Sequence, residues 1–422
     1  MTFKQPDTKI LEKKTFTLHL ISQIFNGLAI GIIVLQDIIL KKSLGGSNFH
    51  VMLLMVIISS AFLFSIYGSE IVNRSYNRAK TIIILGIAGN ISYLILPLFS
   101  NPIYYIACLS IHAIFDSLLL SIWNIAFKHN YTNENRSRYY SYVSAVQLFL
   151  TLVVLTIFGY FLDINYELYK FAFPIAGIFG IITYINLAKM ISLSMDDYKG
   201  KVNKLKSYFT LSDYKDIIML PGKELLRILK NNPAFLRFEA YFFLYGMAFM
   251  VLSPVVPVFL VDNLHLSYTP ISIAKGLVFQ STLIIFTPIM GKHHGTGNPA
   301  RFCAFVFVML ALFPLTLLSA NYINFETTVI VYISHFFYGF AMSGISIAWA
   351  LSSIYYSPPN EVSNYQAAHI TLTGVRGLFS PALGYLVMSI FAIEYTFILS
   401  ALLLFIGGYL MLKESKRVVK PA

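Results

Sequence analysis

Gln366, His369, Thr373, Arg376 and Ser380 follow one another at intervals of three, four, three and four residues. On an α-helix that spacing places all five on one face. The stretch around them, "HITLTGVRGLFSPALG" from His369 to Gly384, is otherwise largely apolar. A charged side chain at the centre of a bilayer span costs about 2.5–3.5 kcal/mol on insertion scales, so it faces a cavity or a partner. Arg376 has no acid nearby on its own helix, and its guanidinium carries five donors to satisfy. The chemistry expected of it is anion recognition, since a carboxylate or phosphate offers paired acceptors that match the fork. The competing expectation is a permanent pair with Asp116. Thr373 and Ser380 also suit plain hydrogen bonds to a packed neighbouring helix.

A second polar face comprises His19, Gln23 and Asn26, spaced four and three apart, with Asp37 further along the same run. Asp37 lies close enough to the surface that solvation accounts for it. A third pair, His112 and Asp116, is one helical turn apart in an apolar run. Asp116 falls midway along that run and reads as the deepest acid. A carboxyl there can load and release a proton, with the histidine as relay. Lys275 falls near a span end and is expected to snorkel to the surface. Pro254 and Pro257 remove helix hydrogen bonds and predict a kink.

Helices that could hold such groups are dictated by composition. Hydrophobic residues make up 57% of 422 and charged residues 12%, with mean hydropathy +0.69. Soluble domains carry about twice that charge, so the chain is an integral membrane protein. The net charge of +12 is not a nucleic-acid patch. All but five of the 31 Lys and Arg residues (Lys41, Lys42, Lys170, Lys275 and Arg376) fall in the tails and in the loops of one side. Cys108 and Cys303 sit in apolar runs, which argues against a disulfide framework or a thiolate metal site. The first apolar run, Phe16 to Leu40, is too long for a signal-peptide core.

Twelve runs are long enough to cross a bilayer. They lie near 15–40, 48–68, 81–100, 103–127, 140–162 and 169–190, then near 238–261, 269–290, 301–320, 327–352, 366–390 and 394–412. The division is an N-terminal six-helix half (1–190), a basic linker (191–237) and a C-terminal six-helix half (238–422). Within the linker, "PGKELLRILK" reads as an amphipathic helix at the membrane surface. Lysine and arginine placement puts both termini and the linker in the cytoplasm.

The halves also repeat. Gly159 and Tyr160 match Gly384 and Tyr385 at a shift of 225, and Asn135 and Tyr140 match Asn360 and Tyr365. "FNGLAIG" and "LYGMAFM" share a glycine, and His112 and Trp123 parallel His335 and Trp349. Two six-span halves in parallel orientation match a transporter plan built from repeats. "SEIVNRSYNRAK", Ser69 to Lys80, sits where the major facilitator superfamily carries Gly-x-x-x-Asp-Arg followed by basic residues. It keeps Arg74, Arg78 and Lys80, with Ser69 for the glycine and Asn73 for the aspartate. The second copy, "GKHHGTGNPAR", keeps Gly291 and Arg301 and has Gly295 in place of the acid. "NENRSRYYSY" and "PPNEVSNYQAAH" resemble the family's cytoplasmic turns. Over essentially its whole length the chain therefore resembles that superfamily. The resemblance implies an all-α fold of twelve transmembrane helices, with spans one, four, seven and ten lining a central pathway. It also implies a gating role for Ser69, Asn73, Arg74, Arg78 and Gly291.

The expected function is secondary active transport of a small organic solute by alternating access. The solute is expected to be anionic or carboxylate-bearing, held by Arg376, His369, Thr373, His19, Gln23 and Asn26. Coupling to a proton or another ion would run through Asp116 and His112. No Gly-x-x-x-x-Gly-Lys-Ser/Thr sequence occurs, so ATP is not the direct drive. Drug or metabolite efflux on the same fold is the alternative, with a non-transporting sensor behind it. No catalytic constellation, metal site or cofactor is expected. The protein is read as a monomer in a bacterial inner membrane, since Ile, Lys, Asn and Tyr are frequent, as in AT-rich microbial genomes.

Overall fold

The computed structural model describes residues 8–195, 222–295, 298–323, 325–358 and 361–417. The side chains of Ser69, Asn73 and Arg74 lie outside the described part, as do linker residues 196–221. Among the described residues there is no strand, and eleven helices are long and apolar enough to cross a membrane.

Span one is α1 (Thr8–Ile33) continued by α2 (Gln36–Lys42). Span two is the broken one. Its α3 (Asn48–Ser60) tightens at Ala61–Phe64 before α4 (Ser65–Arg74). Ser60 and Ser65 hydroxyls donate back to the carbonyls of Ile57 and Phe62 there, the side-chain bonding that bends helices. Spans three to six are α5 (Arg78–Ile95), α6 (Pro102–Asn130), α7 (Asn133–Ile164) and α8 (Tyr169–Met195). A short helix, α9 (222–231), precedes span seven.

Span seven divides into α10 (Pro233–Leu252) and α11 (Val255–Val258), so the predicted kink falls at Ser253–Pro254. Span eight is α12 (Tyr268–Ser272), one widened turn and α13 (Phe279–Gly295). The remaining spans are α14 (Pro299–Ser319), α15 (Thr327–Leu351), α16 (Val362–Ile390) and α17 (Ile393–Ser415).

Several starts come from one device. Asn101, Asn232 and Asn298 each cap a helix whose first residue is proline, the residue with no amide proton to leave unsatisfied. Thr132 caps α7 in the same way, through the amide of Asn135. The expected turn "NENRSRYYSY" is consequently the first turns of α7, and Gly291 is helical within α13 rather than in a loop. Polar residues extend these helices past the apolar core, which is why hydropathy placed the boundaries too far inside.

The halves meet along two seams. Span two packs on span eleven, where a Cβ on Gly377 would lie 2.5 Å from the Ser59 carbonyl, and span five packs on span eight, where one on Gly159 would lie 2.1 Å from Ser272 Oγ. Only glycine permits backbones that close. Within the C-terminal half, Arg237 on α10 makes a bidentate pair with the fully buried Glu414 on α17, at 2.9–3.1 Å. Helix α9 does not lay its apolar face on lipid alone. Ile228 is buried against Phe235, Tyr365 and Ala368, and Arg227 reaches Glu361 at 2.8 Å, which fastens the helix to spans seven and eleven.

Candidate functional site: a cavity between the halves

A cavity of about 1460 Å³ lies between the two halves. Its mouth is at the end that carries both chain termini, where Arg78 opens α5 and Lys128 and His129 close α6. It extends past Gln23, Asn26 and Asp116 to Ile33 and Gln36. That volume exceeds the 300–1,000 Å³ typical of small-molecule pockets, so a solute and its water fit together.

The opposite end is closed by contacts that cross from one half to the other. Asp37 on α2 takes two bonds from Lys275 Nζ in span eight, at 2.7 and 2.9 Å, with both side chains largely buried. Lys42 donates to the Leu266 carbonyl at 2.7 Å, and Lys41 pairs with Asp262 at 2.7 Å. Asp163, at the end of α7, accepts the amides of Tyr268 and Thr269, both at 2.7 Å, and so caps α12 of the other half. Two sequence expectations are corrected here. Lys275 does not snorkel and Asp37 is not simply solvated, because each satisfies the other across the seam.

The N-terminal half presents its polar face to the cavity. Asn26 Nδ2 donates to Gln23 Oε1 at 3.0 Å, which fixes the two amides as a pair. Asp116 is exposed to the cavity, and the Tyr184 hydroxyl donates to its carboxylate. His112 lines the same wall, its ring 4.2 Å from that of Tyr93. His19 bounds the cavity but is only 1% exposed, wedged against Phe127 at 4.5 Å with Nδ1 3.2 Å from the Tyr131 hydroxyl.

The C-terminal half does the reverse. Arg376 is 4% exposed and does not line the cavity. Its Nη1 donates to the Phe242 carbonyl and Nη2 to Thr373 Oγ1, both at 3.1 Å, and the guanidinium carbon lies 5.8 and 5.7 Å from the Phe242 and Tyr245 rings. Room for it exists because residue 246 is glycine, whose hypothetical Cβ would fall 2.0 Å from Cζ. His369 Nδ1 lies 2.9 and 3.0 Å from the two carboxylate oxygens of Glu239, with both residues buried. Asp116 is bonded to Tyr184 and not to Arg376, so in this conformation the two are not the ion pair that the sequence left open.

Between this cluster and the cavity stand Trp349 and Gln366, both lining residues. The indole N–H of Trp349 donates to Thr373 Oγ1 at 3.3 Å, and Gln366 donates to the Trp349 carbonyl at 3.3 Å. Glu239 escaped sequence reading because the predicted span began at 238, which put it at the surface. The Asn232–Pro233 cap and start five residues earlier carry it into the bundle. Of the gating residues, Arg78 stands at the cavity mouth, while the side chains of Ser69, Asn73 and Arg74 are outside the described residues. Among the described residues no group of three or more His, Cys, Asp or Glu could hold a metal ion.

Among curated proteins, none matches the chain. Solved structures with similar folds include the nucleoside transporter NupG, at 13% identity and TM-score 0.66, covering 96% of this chain and 99% of the other. The peptide transporter POT in complex with sulfate is similar at 10% identity and TM-score 0.73, covering 98% and 99%. The human organic anion transporter MFSD10 is similar at 12% identity and TM-score 0.64, covering 96% and 100%. These likenesses concern the fold. The sequence model described as Major Facilitator Superfamily matches residues 19–381. With that match over most of its length, and with paired six-helix halves enclosing a cavity, the chain belongs to the major facilitator superfamily.

Proposed function

We propose that this protein is a secondary active transporter in which the halves, 1–190 and 238–422, rock about the cavity while the linker, 191–237, joins them in the cytoplasm. The observation that carries the reading is the asymmetry of the cavity. It is open at the terminus-bearing end and latched at the other by bonds between the halves, as one state of an alternating-access cycle requires. By the positive-inside bias, this is the cytoplasm-open state.

The solute in this reading is small, polar and organic. Gln23 and Asn26 supply amide donors and acceptors at mid-depth, with His19 behind them, and Trp123 and Trp349 supply flat apolar surface. Asp116, with His112 one turn away, is the coupling proton's site, because it is a carboxylate exposed to the cavity and held by a phenol. A carboxylate-bearing solute is a second reading. Its support is the basic rim of Arg78, Lys128 and His129. Direct binding at Arg376, His369 and Thr373 belongs to that reading and requires Trp349 to move aside.

Uptake into proteoliposomes of labelled neutral and anionic solutes, with and without a pH gradient, tests both readings. Asp116→Asn is expected to lower gradient-driven accumulation far more than solute exchange, since exchange needs no net proton release. Equal loss of both would remove Asp116 from coupling, and inhibition confined to anions would favour the second reading.

A further inference from the structure

We propose that His369 and Glu239 form a second proton-binding centre, inside the C-terminal half, that loads from the cavity past Trp349. The inference rests on the transporter reading above and adds a site to it.

One proton must already lie between His369 Nδ1 and the Glu239 carboxylate, since neither approach distance, 2.9 or 3.0 Å, suits two bare acceptors. With the carboxylate accepting from Nδ1–H, the other ring nitrogen, Nε2, is a lone pair. It is buried and has no hydrogen-bond partner. A buried acceptor with nothing to accept from is costly unless something visits it. The visitor that fits is a proton, which converts the ring to an imidazolium paired with Glu239.

The surroundings suit that change. The charged and titratable groups facing the pair are Arg376 from span eleven, Tyr245 from span seven, Cys303 from span nine and Tyr356 from the turn after span ten. Arg376 and Glu239 carry opposite fixed charges, so the resting cluster is neutral overall. Loading adds one positive charge, and the Trp349 ring, 5.9 Å from the imidazole, is a cation–π partner for it. Trp349 lines the cavity, while His369, Glu239 and Arg376 do not, so the indole is the wall between water and site. When that proton arrives, the bond formed is Nε2–H, its source is cavity water, and release reverses the step.

The chain has two tryptophans, so Trp123→Phe leaves Trp349 as the sole indole reporter in the full-length protein. An adjacent imidazolium quenches indole emission and a neutral imidazole does not. Emission is expected to fall by about half as the pH is lowered and the ring gains its charge. His369→Gln should flatten the profile, and Glu239→Gln should diminish the change, for want of the counter-charge. Trp349→Phe, which leaves Trp123 beside His19, controls for that histidine. A flat profile in the parent, or one that His369→Gln leaves intact, overturns the proposal.

If Trp123→Phe does not fold, the carboxyl infrared band of Glu239, assigned by Glu239→Gln, must respond to pH in the same way and lose its response in His369→Gln. Failure of that response overturns the proposal equally. In liposomes loaded with a solute found by the transport screen, His369→Gln is expected to lower the ratio of gradient-driven accumulation to exchange. An unchanged ratio overturns the coupling role. A protein whose Trp349 emission responds to pH as expected but which exchanges no solute sinks the transporter reading and leaves the proton site standing.

Discussion

Gly27 on span one and Gly246 on span seven hold corresponding places in the two halves, and each makes room for the fifth helix of its half, Gly27 for its backbone and Gly246 for a polar side chain. A Cβ on Gly27 would lie 2.7 Å from the Gln147 carbonyl, and one on Gly246 would lie 2.0 Å from the guanidinium carbon of Arg376. Around Gly27 the amides and Asp116 open to the cavity. Around Gly246 the arginine, histidine and glutamate are closed off by Trp349 and Gln366. The same repeat has thus produced a wet polar face in one half and a dry one in the other. The difference rests on where the fourth helix of each half puts its tryptophan: Trp123 abuts His19 from within the cavity wall, and Trp349 donates to Thr373 and covers the cluster.

The contrast is most directly broken by accessibility. Single cysteines at positions 23 and 26 are expected to react with a water-soluble maleimide at least roughly tenfold faster than cysteines at 373 and 376, since a buried thiol is inert. Equal rates, measured in a background without Cys108 and Cys303, would mean that the dry face is not dry. Next in size is the latch. Lys275→Ala leaves Asp37 buried without its partner, a change worth about 3–5 kcal/mol in such pairs. The expected result is a shift towards the state open at the latched end, read as increased labelling of a cysteine at 33 by an impermeant reagent applied from the latched side. Asp37→Lys with Lys275→Asp should recover much of the wild-type labelling.

Smaller again is the cost of the glycine seat. Gly246→Ala forces Arg376 aside and should destabilise the protein by about 1–3 kcal/mol in thermal melts. Gly27→Ala meets the Gln147 backbone carbonyl, which cannot swing aside as a side-chain end can, and should cost more. The reverse order would show that the sealed cluster does not yield. The smallest effect concerns α9. The Arg227 guanidinium holds the Glu224 carboxylate below its ordinary value of 4.5. A depressed native value means that this contribution is complete above pH 4.5 and disappears as pH falls through the lowered value. Because both side chains are well exposed, the loss should be slight, visible as proteolysis near α9 at acid pH and not as unfolding of either half.

Most of the bundle was legible because a bilayer permits little else: long apolar runs, basic residues on one side, and a repeat of about 225 residues. The polar face of span one was legible for the same reason, since helical periodicity survives in any environment. What was not legible were partners. Nothing local to Arg376 indicates Glu239 or Trp349, which lie 137 and 27 residues away in sequence, and nothing local to Lys275 indicates Asp37. The Asn232–Pro233 signal was present, however, and a reading that weighted helix caps above hydropathy would have buried Glu239 from the start.

Asp163 differs from the two ion pairs of the latched end in one respect. Lys275 with Asp37 and Lys41 with Asp262 each join two side chains, so a substitution in either half removes the contact. The carboxylate of Asp163 instead accepts two backbone amides, at Tyr268 and Thr269, which every residue except proline supplies. The side chains at 268 and 269 can therefore change without loss of these two bonds. Sequence drift there is tolerated on one partner and not on the other. A proline at 268, the first residue of α12 and a position where helices accept it, would delete one of the two donors while leaving the helix standing.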